Sequence, residues 1–203
     1  MSIFDSGAVY KYAVDPILSP VQNVAAAMLP SDKRIIDIAC GTGAFLFKLA
    51  SKSKHVIGID HSESMINLAS KWRAKRLVNN VDFILDEEKR LTVFPNNSFD
   101  IATLSMALHQ FSREIGLNVL RESIRISKEI LIIDYSYPLS PTIYKYIVYL
   151  AEIIAGKEHY NNFKSYMDYG GLDYYLKKTG VKVQQNTRLK TNGIFTIVRC
   201  NRC

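Results

Sequence analysis

A glycine-containing loop and two aspartates have the residue types and the spacing that could do chemistry. The segment DIACGTG (37–43) follows an apolar run and precedes a helix-like run, which is where an open α/β sheet binds a nucleoside-type ligand. Glycines there let a ligand lie against the backbone. Asp60 ends the next apolar run, where a carboxylate can accept hydrogen bonds from both ribose hydroxyls, and Asp37 suits a cationic group. These features predict a site for a positively charged nucleoside.

Other kinds of site are disfavoured by what the sequence lacks. A dinucleotide fingerprint would place a third small residue three positions after Gly43, but that residue is Leu46, and no G-x-x-x-x-G-K phosphate loop occurs. The three cysteines, Cys40, Cys200 and Cys203, are too scattered for a disulfide framework, and no Cys/His spacing resembles a metal site. We therefore expect a cytoplasmic protein without a metal.

Alternating strand-like and helix-like segments must position the loop. This alternation is typical of parallel βαβ units whose sheet is buried on both faces. Strands are expected at 34–39, 55–59, 81–85, 99–104 and 130–134, and helices at 44–51, 62–76 and 112–127. Ser62 and Ser112 are candidate helix caps, and Ser19 and Pro20 indicate the start of a further helix over 21–29.

The regular alternation of predicted strands and helices ends after Asp134. Two helical stretches over 135–171 and a helix over 172–179 precede two strand-like runs, 182–189 and 194–199. The Asn192-Gly193 pair between those runs is a strong hairpin signal, so a parallel sheet is expected to end in an antiparallel pair. The expected organisation is one domain, with an N-terminal helical cap (1–30), a cofactor-binding core (31–135), a substrate lid insertion and helix (136–180) and a closing hairpin (181–203).

The motifs resemble those of a known enzyme family. The 37–43 loop, the stretch IDHSESM (59–65), residues 81–94 and SFD (98–100) together look like a class I S-adenosylmethionine-dependent methyltransferase, most similar to the small-molecule branch that includes quinone-biosynthesis enzymes. The resemblance is strong over about 31–135 and loose elsewhere. It implies an α/β, Rossmann-like, doubly wound, seven-stranded and mostly parallel sheet, S-adenosyl-L-methionine as methyl donor, S-adenosyl-L-homocysteine as product, and a small-molecule acceptor methylated at O, N or C.

The same resemblance implies roles for individual residues. Gly41 and Gly43 would approach the methionine moiety, Asp60 the ribose hydroxyls and Met65 the adenine face. The set expected around the cofactor comprises Asp37, Ala39, Cys40, Gly41, Gly43, Asp60, His61, Met65, Asp86, Glu87 and Ser105.

Two positions in that set depart from the family pattern. Ala39 stands where the family usually has Gly, and we expect slight crowding there without loss of the site. The acid expected near the adenine amino group falls in Asp86-Glu87-Glu88. Counting from Val81 favours Glu87, counting back from Phe99 favours Glu88, and Asp86 has the matching residue type, so the assignment stays open.

His109, just after the fourth predicted strand, is the candidate general base. A base is needed only if the nucleophile arrives protonated, because the sulfonium already makes its methyl carbon electrophilic. The alternative is that this histidine has only a structural role in packing. The chain has Ser105-Met-Ala-Leu where adenine- or amide-directed N-methyltransferases carry an Asn/Asp-Pro-Pro-aromatic segment, which disfavours those substrate classes.

Aromatic residues concentrate in the predicted lid. Ten of the twelve tyrosines follow Asp134, and they suit either an aromatic or amphipathic acceptor or an ordinary core. His159, in a polar segment (156–163) between two helices, could touch substrate or lie in an exposed loop. Tyr10 and Tyr12 belong to a segment that closes over the cofactor in similar enzymes.

The formal charge of +7 is uneven, since residues 1–100 carry 12 basic and 11 acidic side chains and residues 101–203 carry 14 and 8. Basic residues at 71–76 and near the end could form an RNA surface, but a solvated surface is favoured because no RNA-binding module is present. The alternatives to a small-molecule enzyme are thus an RNA methyltransferase and a non-catalytic cofactor sensor. No signal peptide or span is expected, since the most apolar stretch, 143–155, is too short and contains Lys145 and Glu152.

Overall fold

The computed structural model of the chain describes residues 10–86, 91–184, 189–191 and 193–201, with the side chains of Leu189 and Lys190 left out. The described strands are β1 (Arg34–Ile38), β2 (His55–Asp60), β3 (Val81–Leu85), β4 (Phe99–Ser105), β5 (Ser127–Tyr135), β6 (Lys182–Val183), β7 (Leu189–Thr191) and β8 (Phe195–Asn201). The helices are α1 (Asp15–Met28), α2 (Ala44–Ala50), α3 (Glu63–Arg76), α4 (Arg113–Ile126), α5 (Ile143–Ala155), α6 (Lys157–Asp168) and α7 (Leu172–Thr179), with a π-helical turn at Tyr10–Val14 ahead of α1.

The strands form one doubly wound sheet in the order β3-β2-β1-β4-β5-β8-β6, with β7 also beside β8. Strands β1 to β5 are parallel, and β8 runs antiparallel to β5, β6 and β7. The chain winds outward from β1 in one direction and from β4 in the other, so their carboxyl ends flank a crevice where α/β sheets bind ligands. This topology confirms the predicted fold.

The closing strands differ in detail from the expectation. The strand predicted at 182–189 occupies the sheet edge as two short segments, β6 and β7, on either side of residues 185–188, which lie outside the described part of the chain. The predicted hairpin pairing is present, since Thr191 is opposite Phe195. Asn192 in its turn is likewise outside the described residues.

Continuous apolar runs form the central strands because both faces of the sheet are covered. In β5, Ile130 and Ile132 pack into one apolar cluster, whereas Leu131 and Ile133 pack into the other. Successive side chains of a strand point to opposite faces, so a strand buried on both sides must be apolar at every position. Strand β5 begins at Ser127, three residues earlier than predicted.

One predicted helix start and one predicted helix cap were wrong. Helix α1 begins at Asp15 with Pro16 in its first turn, and Pro20 lies inside the helix. Either proline fits a first turn in sequence, and Asp15 is held there by a tertiary contact described below. Ser62 occupies the cap position of α3 without a side-chain cap bond, whereas Ser112 does cap α4 by accepting from the Ile115 amide at 3.5 Å.

The predicted lid region contains a helical pair, α5 and α6, that packs near the turn following β4. Only Gly156 separates α5 from α6, so the polar segment at 156–163 belongs mainly to the first turns of α6 and is not a loop. The Asn162 amide donates to the Gln110 carbonyl at 2.9 Å, which fixes α6 against the turn Leu108–Gln110. In the described ranges, no helix combines the length and apolarity needed to span a bilayer.

Candidate functional site

The loop between β1 and α2 is built from three left-handed backbone positions. Ala39, Gly41 and Gly43 have φ values of +57°, +55° and +73°. Glycine adopts this conformation without steric cost, whereas an L-residue such as Ala39 is strained by its β-carbon. The alternation folds the loop tightly at the carboxyl edge of the sheet, where the Cys40 amide donates to the Ile59 carbonyl at 3.0 Å.

The two glycines have different surroundings. A β-carbon added at Gly41 would meet nothing within 4 Å, whereas one at Gly43 would lie 2.6 Å from the Phe83 ring. Gly41 lines a cleft, and Gly43 instead makes room for packing between the loop and β3. Only Gly41 therefore faces space that a ligand could fill.

Asp60 joins the glycine loop to the end of β2. Its buried carboxylate accepts hydrogen bonds from the Gly41 amide at 2.8 Å and from the Ser62 amide at 2.9 Å. The half-exposed His61 ring lies 3.6 Å from the same carboxylate. Each carboxylate oxygen retains capacity for another hydrogen bond, so Asp60 can still accept from a ligand.

Asp37 is a buried acid with one unused oxygen. Oδ1 accepts from the Thr103 hydroxyl at 2.6 Å, while Oδ2 has no hydrogen-bond partner among the described residues. Burial raises the pKa of Asp37 to about 7, opposed by the Thr103 bond and reinforced by Asp60. An orphaned carboxylate oxygen is a costly feature that a bound cation would satisfy.

The N-terminal segment contacts the same loop. The Thr42 hydroxyl donates to buried Asp15 at 2.6 Å, and Lys11 pairs with Asp15 at 3.2 Å. These bonds hold the start of α1 over the loop. Tyr10, one turn earlier, lines the cleft, whereas Tyr12 points to solvent with 75% of its surface exposed.

These groups surround a cleft of about 110 Å³ at the carboxyl edge of β1 and β4. Ser105, at the end of β4, contributes a buried hydroxyl without a partner among the described residues. The Cys40 thiol is buried, which raises its pKa well above the usual value. The sequence-predicted residues that line the cleft are Asp37, Ala39, Cys40, Gly41, Asp60, His61, Met65 and Ser105.

Asp86 lies in a smaller neighbouring pocket of about 30 Å³. Ala39, Asp60 and His61 line both spaces, and the smaller pocket is otherwise mainly apolar. Met65 lines the cleft and not this pocket, so the structure separates two residues that the sequence assigned to one ligand ring. Glu87 and Glu88 lie outside the described residues.

His109 sits in a fully buried polar cluster behind the cleft. Its Nδ1 lies 2.7 Å from Asp134 and its Nε2 lies 3.6 Å from Glu152. Glu152 accepts a hydrogen bond from the Tyr135 hydroxyl at 2.9 Å. Asp134 also accepts from the His109 backbone amide at 3.3 Å, so this carboxylate fixes both the ring and its backbone.

The cluster favours a charged imidazole. Burial alone lowers the pKa of His109, but Asp134 first and Glu152 second outweigh that effect and raise the pKa above the usual value. The cluster can therefore accept and hold a proton in an otherwise apolar environment.

An apolar cavity of about 450 Å³ adjoins the cleft beneath α5. Its walls come mainly from the π-helical turn, α1 and α5, and His109 and Glu152 lie in its lining. The residues that line both the cleft and the cavity are Tyr10, Leu18, Met106, Gln110 and His159. The two spaces thus share a border at the end of β4.

Sequence reasoning missed the partners of His109. Asp134 is the penultimate residue of β5, near the ligand-binding edge, which was a usable signal. Glu152 interrupts an apolar helix, which is a second signal for a buried acid, but it lies 43 positions after His109 in sequence. Of the tyrosines that follow Asp134, Tyr135 and Tyr144 line the cavity, while Tyr166 and Tyr175 are core.

Known proteins similar in sequence and fold carry methyltransferase names. A protein-family model described as a methyltransferase domain matches residues 29–202. The chain is 28% identical over 130 residues to the uncharacterized methyltransferase YcgJ of Bacillus subtilis, covering 63% of this chain and 50% of that protein. It is 33% identical over 117 residues to a demethylmenaquinone methyltransferase of Lactococcus lactis, covering 55% of this chain and 45% of that protein.

A solved structure resembles nearly the whole chain. The SAM-dependent methyltransferase from Aquifex aeolicus aligns with a TM-score of 0.60 at 17% identity, covering 97% of this chain and 93% of that one. The chain spans about half the length of the two curated relatives above. These matches agree with the resemblance drawn from the motifs and with the doubly wound sheet.

Proposed function

Because this chain belongs to the methyltransferase-domain family whose model matches residues 29–202, we propose that it transfers the methyl group of S-adenosylmethionine to a small-molecule acceptor held in the apolar cavity. The observation that carries the proposal is the shared border between the cleft and the cavity. A methyl donor in one space and an acceptor in the other would meet at that border, close to Met106 and Gln110. Residues 136–180 supply α5 and α6 and would serve as the acceptor lid.

The family uses S-adenosylmethionine, as the sequence motifs predicted, and the residues of the cleft fit this cofactor. Gly41 has open space above its α-carbon, and the buried Asp37 oxygen has no partner among the described residues. A carboxylate beside open backbone suits a cationic amino-acid group. Bound there, the cofactor supplies an electrophilic methyl group on a sulfonium sulfur.

We assign the holding residues as follows. Asp60 would accept from the ribose hydroxyls, since it is buried at the strand end and retains acceptor capacity. Asp37 and Gly41 would hold the methionine end, and Asp86, in the small apolar pocket, would face the adenine. Gly43 supports the loop from behind and does not line the cleft.

Catalysis by this chain would rest on positioning, water exclusion and removal of one proton. The apolar walls of the cavity exclude water from a nucleophile placed at the border. His109 in its neutral form, with Asp134 behind it, would take the proton of an acceptor that arrives protonated. Asp134 would stabilise the resulting imidazolium as a positioning residue.

The basic surface gives little support to RNA as the substrate. Arg73 pairs with Asp82 at 2.9 Å and Arg199 pairs with Glu129 at 2.6 Å, so these cations are already engaged within the chain. Arg76 lies over the Phe47 and Trp72 rings. A deep apolar cavity also fits a small apolar molecule better than a polynucleotide backbone.

Label transfer tests the proposed function. The protein is incubated with methyl-labelled S-adenosylmethionine and a broad metabolite extract, and organic-soluble label is measured. We expect transfer by the wild type and loss of transfer in Asp60→Ala, with Asp82→Ala, a surface aspartate at a neighbouring strand, as the matched control. Saturable binding of the cofactor without transfer over the whole extract would contradict the proposal and favour a sensor.

A further inference from the structure

We propose that Glu152 makes the acceptor cavity anionic and that the acceptor is an apolar molecule whose reacting end enters neutral or positively charged, never as an anion. The inference rests on the proposed function and specifies its substrate class. It assigns Glu152, a residue of the lid helix α5, as a specificity-determining residue.

The position of Glu152 shows that its carboxylate belongs to the cavity. It lies on the buried face of α5 between Val148 and Ala155, four residues before and three after, which are both buried apolar side chains. Only 6% of the surface of Glu152 is exposed, and Glu152 is among the residues that line the cavity. A buried acid on an apolar helix face costs stability unless it is hydrogen-bonded or paired.

The hydrogen bonds at Glu152 are those of an acceptor. The Tyr135 hydroxyl donates to Oε1 at 2.9 Å, and the His109 ring approaches the same oxygen at 3.6 Å. Both contacts set a donor or a protonatable ring nitrogen against the carboxylate of Glu152. The sidewall therefore presents an acceptor of hydrogen bonds to whatever enters.

The charge balance of the cluster is negative. Asp134 and Glu152 flank a single imidazole, so ionisation of all three groups leaves one net negative charge, and a neutral imidazole leaves two. The other titratable groups that line the cavity are Tyr10, Tyr135, Tyr144 and His159. Within the described part of the chain, no lysine or arginine lines it.

This balance opposes the sign of the whole protein. The formal charge of +7 would attract anions to the surface, but a buried anionic acceptor would face the Glu152 carboxylate, with no lysine or arginine among the described lining residues to neutralise it. An alcohol, phenol or amine could instead donate a hydrogen bond to Glu152 and bury its apolar body under α5. The cavity therefore excludes anionic molecules even though the net positive charge of the protein attracts them to its surface.

Three matched probes test the inference by binding alone. Calorimetry in the presence of saturating S-adenosylhomocysteine compares 2-naphthol, which is neutral, 2-naphthylmethylamine, which is cationic, and 2-naphthoate, which is anionic. We expect the first two to bind at least about tenfold more tightly than 2-naphthoate. In Glu152→Gln this ratio should fall to within about threefold, while Glu152→Asp, which keeps the charge, should preserve it.

The controls separate this inference from the proposed function. Glu158→Gln changes an exposed glutamate in the first turn of α6 and should leave the ratio unaltered. Failure of S-adenosylhomocysteine to bind would overturn the proposed function itself. Cofactor binding together with equal or tighter binding of 2-naphthoate, or no binding of any probe, would overturn the charge inference alone, and the wild-type ratio decides this even if Glu152→Gln does not fold.

Discussion

Asp60 accepts the hydrogen bond of the Gly41 amide at 2.8 Å, so the acid that ends β2 fixes the open position of the loop that follows β1. The two residues are nineteen positions apart in sequence. The Asp60 carboxylate therefore both holds the loop and borders the cleft. A substitution at Asp60 or at Gly41 should weaken cofactor binding, the first by removing an acceptor and the second by filling space.

Asp60→Ala should weaken binding of S-adenosylhomocysteine by roughly 1.5 to 3 kcal/mol, because a charged hydrogen-bond acceptor is lost. That loss corresponds to roughly ten- to 150-fold in Kd. Calorimetry measures the change directly, with Asp82→Ala as the control at a half-exposed aspartate outside the cleft. Unchanged affinity in Asp60→Ala would remove the ribose role.

Gly41→Ala should abolish most cofactor affinity while costing the fold only the strain of a left-handed alanine, about 1 to 2 kcal/mol. Gly180→Ala is a matched control, since Gly180 also has positive φ and no atom within 4 Å of an added β-carbon, yet it ends α7 outside the cleft. The two variants should have similar midpoints of thermal unfolding, whereas calorimetry should show weaker cofactor binding in Gly41→Ala only. Equal cofactor affinity in both would show that Gly41 faces no ligand.

Cofactor binding should release a proton near pH 6 through Asp37. Its pKa of about 7 leaves the ligand-free carboxyl mostly protonated there, and a cationic ligand group favours ionisation. Calorimetry in buffers of different ionisation enthalpy should detect nearly one proton at about pH 6 and almost none at about pH 8.5. Asp37→Asn should release none at either pH, and a wild type that does the same would contradict the assignment.

The same carboxyl makes the ligand-free fold weaker in alkali. Because the folded pKa is raised above the model-peptide value of 3.8, the stabilisation is complete below that pH and is lost as pH rises through about 7. Asp37→Asn should therefore raise the free energy of unfolding more at pH 8 than at pH 5, which denaturant titration can measure.

Ala39→Gly should stabilise the protein by up to about 1 kcal/mol, since glycine removes the left-handed strain but has greater freedom when unfolded. Leu77, exposed at the end of α3 with φ of +53°, provides the comparison outside the site. Both glycine variants should raise the midpoint of unfolding. A loss of stability in Ala39→Gly would mean that its methyl group packs productively.

Asp134→Asn should lower the pKa of His109 below that of the wild type. The wild-type imidazole is buried, and Asp134 is the larger of the two carboxylate influences that raise its pKa. Without that charge, burial favours the neutral ring. An NMR titration of the ring nitrogens reads the pKa directly, and an unshifted titration would contradict the assigned coupling.

The sequence predicted the elements whose cause is local. Strands β1, β2, β4 and β5 are interior and parallel, so their burial on both faces appears as apolar runs. The Asp37 to Gly43 loop and Asp60 were recognisable because strand ends share one edge of a parallel sheet. Helix α7 was predicted at its observed bounds, 172–179.

Features set by distant contacts could not be read from the sequence. The start of α1 depends on the bond between Asp15 and Thr42, which are 27 residues apart. The cluster of His109, Asp134 and Glu152 forms only when α5 folds over the carboxyl ends of β4 and β5.

A crystal structure of the protein with S-adenosylhomocysteine tests the central claim most directly. The account predicts the ribose against Asp60, the amino-acid end beside Asp37 and Gly41, and the sulfur toward the border with the apolar cavity. A ligand that leaves the Asp60 carboxylate and Gly41 untouched, or that binds away from the carboxyl edge of β1 and β2, would contradict it.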